Sequence, residues 1–362
     1  MNTLHYPCTS CGAKLEFAPG KDALKCPYCG AENSIPEATT ESVIVAVEEL
    51  DYPSYLAKAA GNEAQIERQT IKCPSCGASS QLPENVTADR CPFCAVPLIA
   101  ADAYAHRAIK PHALAPFEIA DSDARSRFRK WITGLWFAPN VLKKSYREAS
   151  GLKGIYLPYW TYDAETNTPY SGQRGDHYYV TENYTENGQA RSRQVQHTRW
   201  SRAAGSVQVS FDDIRVPATS SLPDDYLEKL EPWQLEKLQP YREDYLSGFT
   251  VEAYQLGLEP GFGLACKQMD APIRSAIEGD IGGDEQRIDS MSPHYSDITF
   301  KHILLPIWLS TYQYGGKTWR FLVNGQTGEV QGERPWSAWK IAFATVLALL
   351  LLFLVIVFFN NQ

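Results

Sequence analysis

The chain of 362 residues carries 34 Lys and Arg against 42 Asp and Glu, a formal net charge of −8 at pH 7. That balance argues against a protein that coats nucleic acid over its whole surface. With 44% hydrophobic and 21% charged residues the composition excludes a disordered polyelectrolyte, and the length has room for two or three domains.

The first element is "CTSCGAKLEFAPGKDALKCPYC", in which Cys8, Cys11, Cys26 and Cys29 form two C-x-x-C knuckles separated by fourteen residues. The same spacing returns in "CPSCGASSQLPENVTADRCPFC", with Cys73, Cys76, Cys91 and Cys94. Two such knuckles bring four thiolates around one tetrahedral Zn²⁺. A redox dithiol would instead be a single pair beside a βαβ pattern, which is missing here. Two structural Zn²⁺ are therefore expected, and four-thiolate coordination leaves no open position for hydrolysis. Gly12, Gly30 and Gly77 follow three of the knuckles, and Ala95 takes the fourth such place. Zinc ribbon 1 is assigned to 1–36 and zinc ribbon 2 to 71–100. A unit of about thirty residues buries little core, so each ribbon is expected to fold on its own metal and to unfold alone without it. Of nine cysteines only Cys266 is left over, reading as a small core residue. Eight thiolates kept for metal imply a reducing compartment, the cytosol, and "MNTLHYPCTSC" shows no secretory signal.

Residues 37–70 read as a linker, an apolar run followed by a short helix, and the Ala- and Pro-rich 101–120 as a second linker or edge strand. A helix is expected from Asp121, capped by Asp121 or Ser122, with Phe128, Ile132, Leu135 and Trp136 at helical spacing and "APN" as its stop. Between Asp121 and Arg147 lie Arg125, Arg127, Arg129, Lys130, Lys143, Lys144 and Arg147 against Asp121 and Asp123, a local balance of +5. This is either a solvated face over a core stripe or a helix resting on an anionic membrane.

Residues 121–335 are expected to form an α+β domain, mainly β with helical inserts. "GIYLPYWTYDA" and "HILLPIWLSTY" share an apolar-x-Leu-Pro-x-Trp pattern, at Leu157-Pro158-Trp160 and Leu305-Pro306-Trp308, suggesting two related β units. Asn187-Gly188 and Asn324-Gly325 signal hairpins. Residues 223–249 read as a helical insert, and part of 259–281 as another helix. Acid–base candidates are Asp280, Asp284, Asp289 and His294, with Asp176 and His177, yet Asp-Gly and Gly-Gly-Asp are also ordinary turn chemistry, and no catalytic residue is assigned.

Ile341 to Phe359 is a run of nineteen residues whose sole polar member is Thr345. At 1.5 Å per residue it spans about 28 Å, enough to cross a hydrocarbon core of about 30 Å. Trp336 and Trp339 precede it, Arg334 and Lys340 lie on its N-terminal side, and "NNQ" follows. Residues 336–362 thus read as a tail anchor, with residues 341–359 in the bilayer and the N-terminal bulk in the cytosol.

Beyond these local features, the paired ribbons together with "NVTADRCPFC", "GLWFAPN", "LPYWTYDA", "YLSGFTVEAY", "GDIGGDEQRI", "YSDITFKHILLPIWL" and "FLVNGQTGEVQGERPWSAWK" give the chain a family likeness along nearly its whole length. It resembles bacterial tail-anchored TFIIB-type zinc-ribbon-containing proteins, often labelled primosomal protein N′ (replication factor Y) or helicase-like. The resemblance implies a single-pass protein of the inner membrane, a companion of phage-shock or flotillin-like stress systems, and defines no reaction. The helicase label fails on chemistry, because "TYQYGGKTW" puts Thr311 where a phosphate-binding loop needs its first glycine. The function expected is a membrane-anchored cytosolic adaptor that recruits protein partners. The alternative is a zinc-ribbon nucleic-acid binder in replication or transcription. Residues 1–100 hold seven Lys and Arg against twelve Asp and Glu, and each four-thiolate zinc unit would add further negative charge, so nucleic acid is disfavoured.

Overall fold

The computed structural model describes residues 7–35, 49–59, 65–81, 88–99, 102–139, 151–186, 189–314 and 317–360. Ribbon one is a small antiparallel sheet of β1 (Glu16–Phe17), β2 (Ala23–Lys25) and β3 (Glu32–Ser34). β4 (Leu50–Asp51) leads into helix α1 (Tyr52–Ala59), while the apolar run before it, at 43–47, lies outside the described residues. Ribbon two contains β5 (Gln65–Lys72), β6 (Ser79–Gln81), β7 (Ala88–Arg90) and β8 (Pro97–Ile99). β9 (Tyr104–Ile109) pairs along β5 from Gln65 opposite Ile109 to Thr70 opposite Tyr104, so strand pairing carries this unit beyond 71–100 on both sides. The stretch after it is no loose linker either, since β10 (Ala113–Leu114) enters the main sheet.

Helix α2 (Asp121–Gly134) forms where the periodicity requires, with Ala124, Phe128 and Ile132 buried. Its N-cap is Ala120 rather than Asp121 or Ser122. Asp121 sits in the first turn, where its carboxylate faces the positive helix end and accepts from Arg125 Nε at 2.7 Å. The basic side chains Arg125, Arg129 and Lys130 are exposed, as both readings of this face require; residues 143–147 of the basic stretch lie outside the described residues.

β11 (Lys153–Glu186) and β12 (Gln189–Pro217) form one hairpin of unusual length, closing with Glu186 opposite Gln189; Asn187-Gly188 itself lies outside the described residues. The expected helical insert is largely irregular: α3 (Asp224–Lys229), single 3₁₀ turns at Leu235–Lys237 and Glu243–Leu246, and β13 (Gln239–Pro240). Pro232 and Pro240 remove amide donors at helical spacing, so its Leu and Tyr residues pack from short turns instead. β14 (Thr250–Val251) precedes α4 (Leu258–Ile281), whose buried residues recur every three or four positions from Leu258 to Ile281. β15 (Glu285–Met291), β16 (His294–Tyr314), β17 (Lys317–Asn324), β18 (Val330–Gly332) and α5 (Ala338–Asn360) complete the chain.

The main sheet has ten strands. Its spine runs β12-β11-β16-β10-β13, with β14 and β15 also on β11, and β4 and then β17-β18 on β16. The pairs are antiparallel except β10–β16 and β11–β14. The two Leu-Pro-x-Trp segments are neighbours in this sheet, related by a local twofold that puts Leu157 opposite Leu305. Each proline carbonyl accepts from an incoming loop amide, Ala218 N on Pro158 and Gly325 N on Pro306. Each indole N–H, 2.8 Å from its acceptor, ties down a flanking carbonyl, Trp160 on Leu256 and Trp308 on Ile119. Both faces of this centre are covered, which explains why its sequence runs apolar without alternation.

What covers them is the main departure from expectation. On one face, ribbon one contributes Leu15, Phe17, Leu24 and Ile35 to a cluster with Phe117, Phe128, Tyr156 and Phe321. Phe17 lies 5.1 Å from Tyr245, and Phe17 N donates to Ser247 O at 2.9 Å. Farther along that face, α1 and α4 close over Trp160, Tyr162 and Phe300. On the opposite face, Ile71, Ala78, Phe93 and Leu98 of ribbon two pack with Ile155, Leu157, Ile303 and Leu305. The ribbons are therefore two outer layers of one core and not self-contained beads.

Beyond Gly175, where β15 stops pairing, β11 and β12 continue alone as a two-stranded arm from Asp176 opposite Arg199 to Glu186 opposite Gln189. At about 3.4 Å per residue the arm extends about 35 Å. It exposes Tyr178, Tyr179, Val180 and Tyr184.

Candidate metal centres

Both cysteine sets converge. The Sγ atoms within each set of four lie within 4.8 Å of one another. The closest approaches are 3.5 Å for Cys8–Cys29 and for Cys11–Cys26, 3.5 Å for Cys73–Cys94 and 3.6 Å for Cys76–Cys91. Four thiolates about 2.3 Å from one ion stand about 3.8 Å apart, so the donors already fit a tetrahedral metal. Backbone amides point at sulfur, Ser10 N at Cys8 and Cys29 N at Cys26. That amide of Cys29 is the largest cause holding the Cys26 thiol down to about 6. Within each set one cysteine of each knuckle is buried and its partner is more accessible. Cys11 and Cys29 are exposed, whereas Cys76 and Cys94 are half-buried against the sheet.

The four knuckles share one turn. Gly12, Gly30, Gly77 and Ala95 donate to the carbonyls of Cys8, Cys26, Cys73 and Cys91 at 2.8–3.0 Å. All four have left-handed backbones, with φ of 76°, 74°, 77° and 62°. Only Ala95 pays for a Cβ there, roughly 1–2 kcal/mol. Glycine would lose about 0.5–1 kcal/mol of that through the freedom of the unfolded chain. Ala95→Gly should thus raise stability by about 0.5–1 kcal/mol without altering metal content; an unfolding midpoint that falls would contradict this.

A third cluster was not visible in the sequence. Glu49, Asp163 and Asp212 bring carboxylate oxygens within 4.8 Å of one another beside the bulge of β11, where β4 joins β16. Lys301, 4% exposed, donates to Glu49 and lies 3.0 Å from both Glu49 and Asp213. Thr299 Oγ1 stands 2.8 Å from Glu49 and 2.9 Å from Asp163. Burial and the contact with Glu49 push Asp163 up to about 7, while the hydrogen bond from Asp163, with Lys301 and Thr299, holds Glu49 down to about 2. Lys301 and Thr299 thus bridge Glu49 to Asp213 and Asp163, and the group clamps the segment between the ribbons to the sheet. The sequence signal was a lysine inside the apolar run "ITFKHILL".

Glu252 is a buried acid, 1% exposed, at the seam between ribbon two and the sheet. Its Oε1 accepts from Ser221 Oγ and, at 2.9 Å, from Gln255 Nε2, and Oε2 is buried without a hydrogen-bond partner. Burial raises its pKa from 4.5 to about 8. The folded chain therefore holds one proton more than the unfolded chain between those values, and stability falls as pH rises through them, by up to about 1.4 kcal/mol per pH unit. Glu252→Gln should remove that part of the slope between pH 5 and 8, read from denaturant midpoints. An unchanged slope would mean the carboxyl is ionised when folded.

Of the acid–base candidates the structure brings together His177 and Asp284, with Nδ1 3.9 Å from Oδ2, and leaves the others apart. Asp280 accepts from Tyr170 Oη, Asp284 accepts from His177 N at 2.6 Å, and His294 Nδ1 lies 3.0 Å from its near neighbour Ser292 O. His177 Nε2 meets Glu285, which Thr198 also contacts, at the root of the arm. Asp176 instead pairs with Arg174. Lys317-Thr318 begins β17, with Lys317 opposite Tyr314, so this pair opens a strand and not a helix that could present amides to a phosphate. Cys266 is half-buried in α4.

No protein-family model matches the chain, and no solved structure matches it. It is 28% identical over 348 residues to an uncharacterized protein, YdjG, of Bacillus subtilis (strain 168), a similarity that covers 94% of this chain and 92% of the relative.

Proposed function

We propose that the protein is a cytosolic adaptor held on the inner membrane by α5, with two structural Zn²⁺, one in each cysteine set, and that it recruits protein partners of phage-shock or flotillin-like membrane-stress systems. The observation that carries the reading is α5. It is 23 residues long, an 18-residue stretch of it has a mean hydropathy of 3.2, and none of its residues is buried by the rest of the chain. About 28 Å of apolar helix standing clear of a folded domain is costly in water and at home in a bilayer. The cysteine sets supply four-thiolate sites that fix shape and leave no open metal position. The arm supplies the recognition surface, exposing tyrosines of low entropic cost to ordering. Tethering then turns weak binding by a cytosolic protein into stable recruitment through effective concentration.

Proximity labelling from the full chain in cells tests this. A set of cytosolic partners should be labelled at the membrane and lost when α5 is disabled or when Tyr178 and Tyr179 are both changed to Ser. Labelling indifferent to both changes would defeat the adaptor reading. The purified chain in detergent should also leave DNA unbound at physiological salt. Sub-micromolar binding with a steep salt dependence would favour the nucleic-acid alternative.

A further inference from the structure

The turn after α2 and the start of α5 are bolted together. Lys340 Nζ donates to Trp136 O at 3.0 Å and to Ala138 O at 2.8 Å. Ser337 N donates to Phe137 O at 2.9 Å. The rings of Phe137 and Trp336 are 6.1 Å apart, and the Arg334 guanidinium lies 4.5 Å from the Trp336 ring centre. Ala138, 2% exposed, fixes the far end of the turn in the core that α2 shares with ribbon one. Lys340 immediately precedes the apolar run of α5, so a carbonyl within one lysine side chain's reach stands at the level where that run begins. At this level Trp136, Trp336 and Trp339 are 58%, 56% and 82% exposed.

We infer that residues 135–139 form a second membrane contact, in which Trp136 enters the phospholipid headgroup layer beside Trp336 and Trp339. This rests on the proposal that α5 spans the bilayer and adds what the anchor alone does not require, a domain seated on the membrane instead of swinging from a stalk. The chemistry suits that layer. Tryptophan prefers the boundary between water and hydrocarbon, and Arg334 beside Trp336, with Lys340 on the turn's carbonyls, places positive charge at the level of anionic headgroups. The occupant is the bilayer that α5 itself enters, because hydrogen bonds to Lys340 and Ser337 make the turn continuous with the helix. The consequence is a fixed orientation, holding the arm at a constant angle to the membrane while a partner docks.

The test uses the full chain in vesicles of phosphatidylcholine and phosphatidylglycerol, with a fraction of lipid brominated high on the acyl chain to quench nearby tryptophans. Trp136→Phe and Trp339→Phe are compared with wild type, and Trp160→Phe, deep in the sheet, is the control. If three tryptophans share the interface, Trp136→Phe should remove about one-third of the bromine-quenched signal, as Trp339→Phe should. Trp160→Phe should remove none. Loss with Trp339→Phe but not with Trp136→Phe leaves the anchor standing and overturns the seated turn. Quenching absent in wild type, with the protein washed from vesicles, removes the anchor and this inference with it. Both key substitutions are at exposed positions, and unchanged metal content and thermal midpoint verify the fold.

Discussion

Stripping metal from ribbon two, or replacing Cys91 with Ser, is expected to melt the central sheet along with the ribbon. Cys91 is 2% exposed and Phe93, two residues on, is fully buried. Their cluster includes Ile155, Leu157, Ile303 and Leu305 from the two innermost strands. The sheet in turn holds the ribbon by its carbonyls, Arg320 Nε on Phe93 O and Lys153 Nζ on Arg90 O, each at 3.0 Å. Ala253 N also donates to Ser79 O at 2.9 Å. Without the metal the knuckles have little to fix them, and one face of the sheet loses its cover. Structural zinc sites of this kind contribute about 10–16 kcal/mol, as much as the whole stability of an ordinary domain, about 5–15 kcal/mol. Even a third of that lost should lower the thermal midpoint by about 5–8 °C in a domain of this size. Trp160 and Trp308 report from the centre of the sheet, remote in sequence from every cysteine, and their fluorescence should change together with loss of the metal. If ribbon two releases its metal while those signals and the midpoint stay put, the shared core is not what stabilises the domain. Ribbon one, with Cys11 and Cys29 exposed, should surrender metal to chelator first.

That coupling was out of reach of the sequence, and the reason is physical. The cysteine sets were legible because a knuckle is local, with ligands three residues apart and a glycine at the turn; the fourth turn keeps its left-handed geometry with Ala95 in place. The central strands were legible as well, since "GIYLPYW" and "HILLPIWL" are apolar on both faces and repeat one another. What one residue says about its own strand does not say what covers it. Phe17 reaches Tyr245 and Phe249, more than two hundred residues away, and nothing in "KLEFAPG" marks it as part of another layer's core. The carboxylates failed for the same reason. Glu49, Asp163 and Asp212 each look like an ordinary polar residue near a strand end, and only the bulge at Tyr162/Ala164 together with Asp213 at φ 53° turns the group toward Lys301. A charged residue inside an apolar strand, Lys301 or Glu252, is the one trace such groups leave. The acid–base candidates failed in the opposite sense, because neighbours in sequence fall on different elements, Asp280 at the end of α4, Asp289 in β15 and His294 at the start of β16, and Asp284 alone of these returns to His177.

Leu350→Arg combined with Leu351→Arg is expected to free the protein from the membrane while leaving it folded. Both leucines project from α5 with more than half their surface exposed and touch nothing in the globular domain. Two arginines at the middle of a bilayer cost about 5–7 kcal/mol on the insertion scale, enough to reverse the partition of a helix this short. The core is built without α5, so metal content and the tryptophan signal of the sheet should match wild type. Orientation follows from the basic residues Arg334 and Lys340 that precede the apolar run. Lys340 is further held on that side by its bonds to Trp136 O and Ala138 O, which belong to the folded domain. A reporter fused after Gln362 should therefore lie outside the cytosol, and the ribbons should resist external protease in intact spheroplasts. Ribbons digested from outside would reverse the orientation and remove cytosolic recruitment. A double-arginine variant that stays with the membrane after a carbonate wash would mean that something other than α5 holds the protein there.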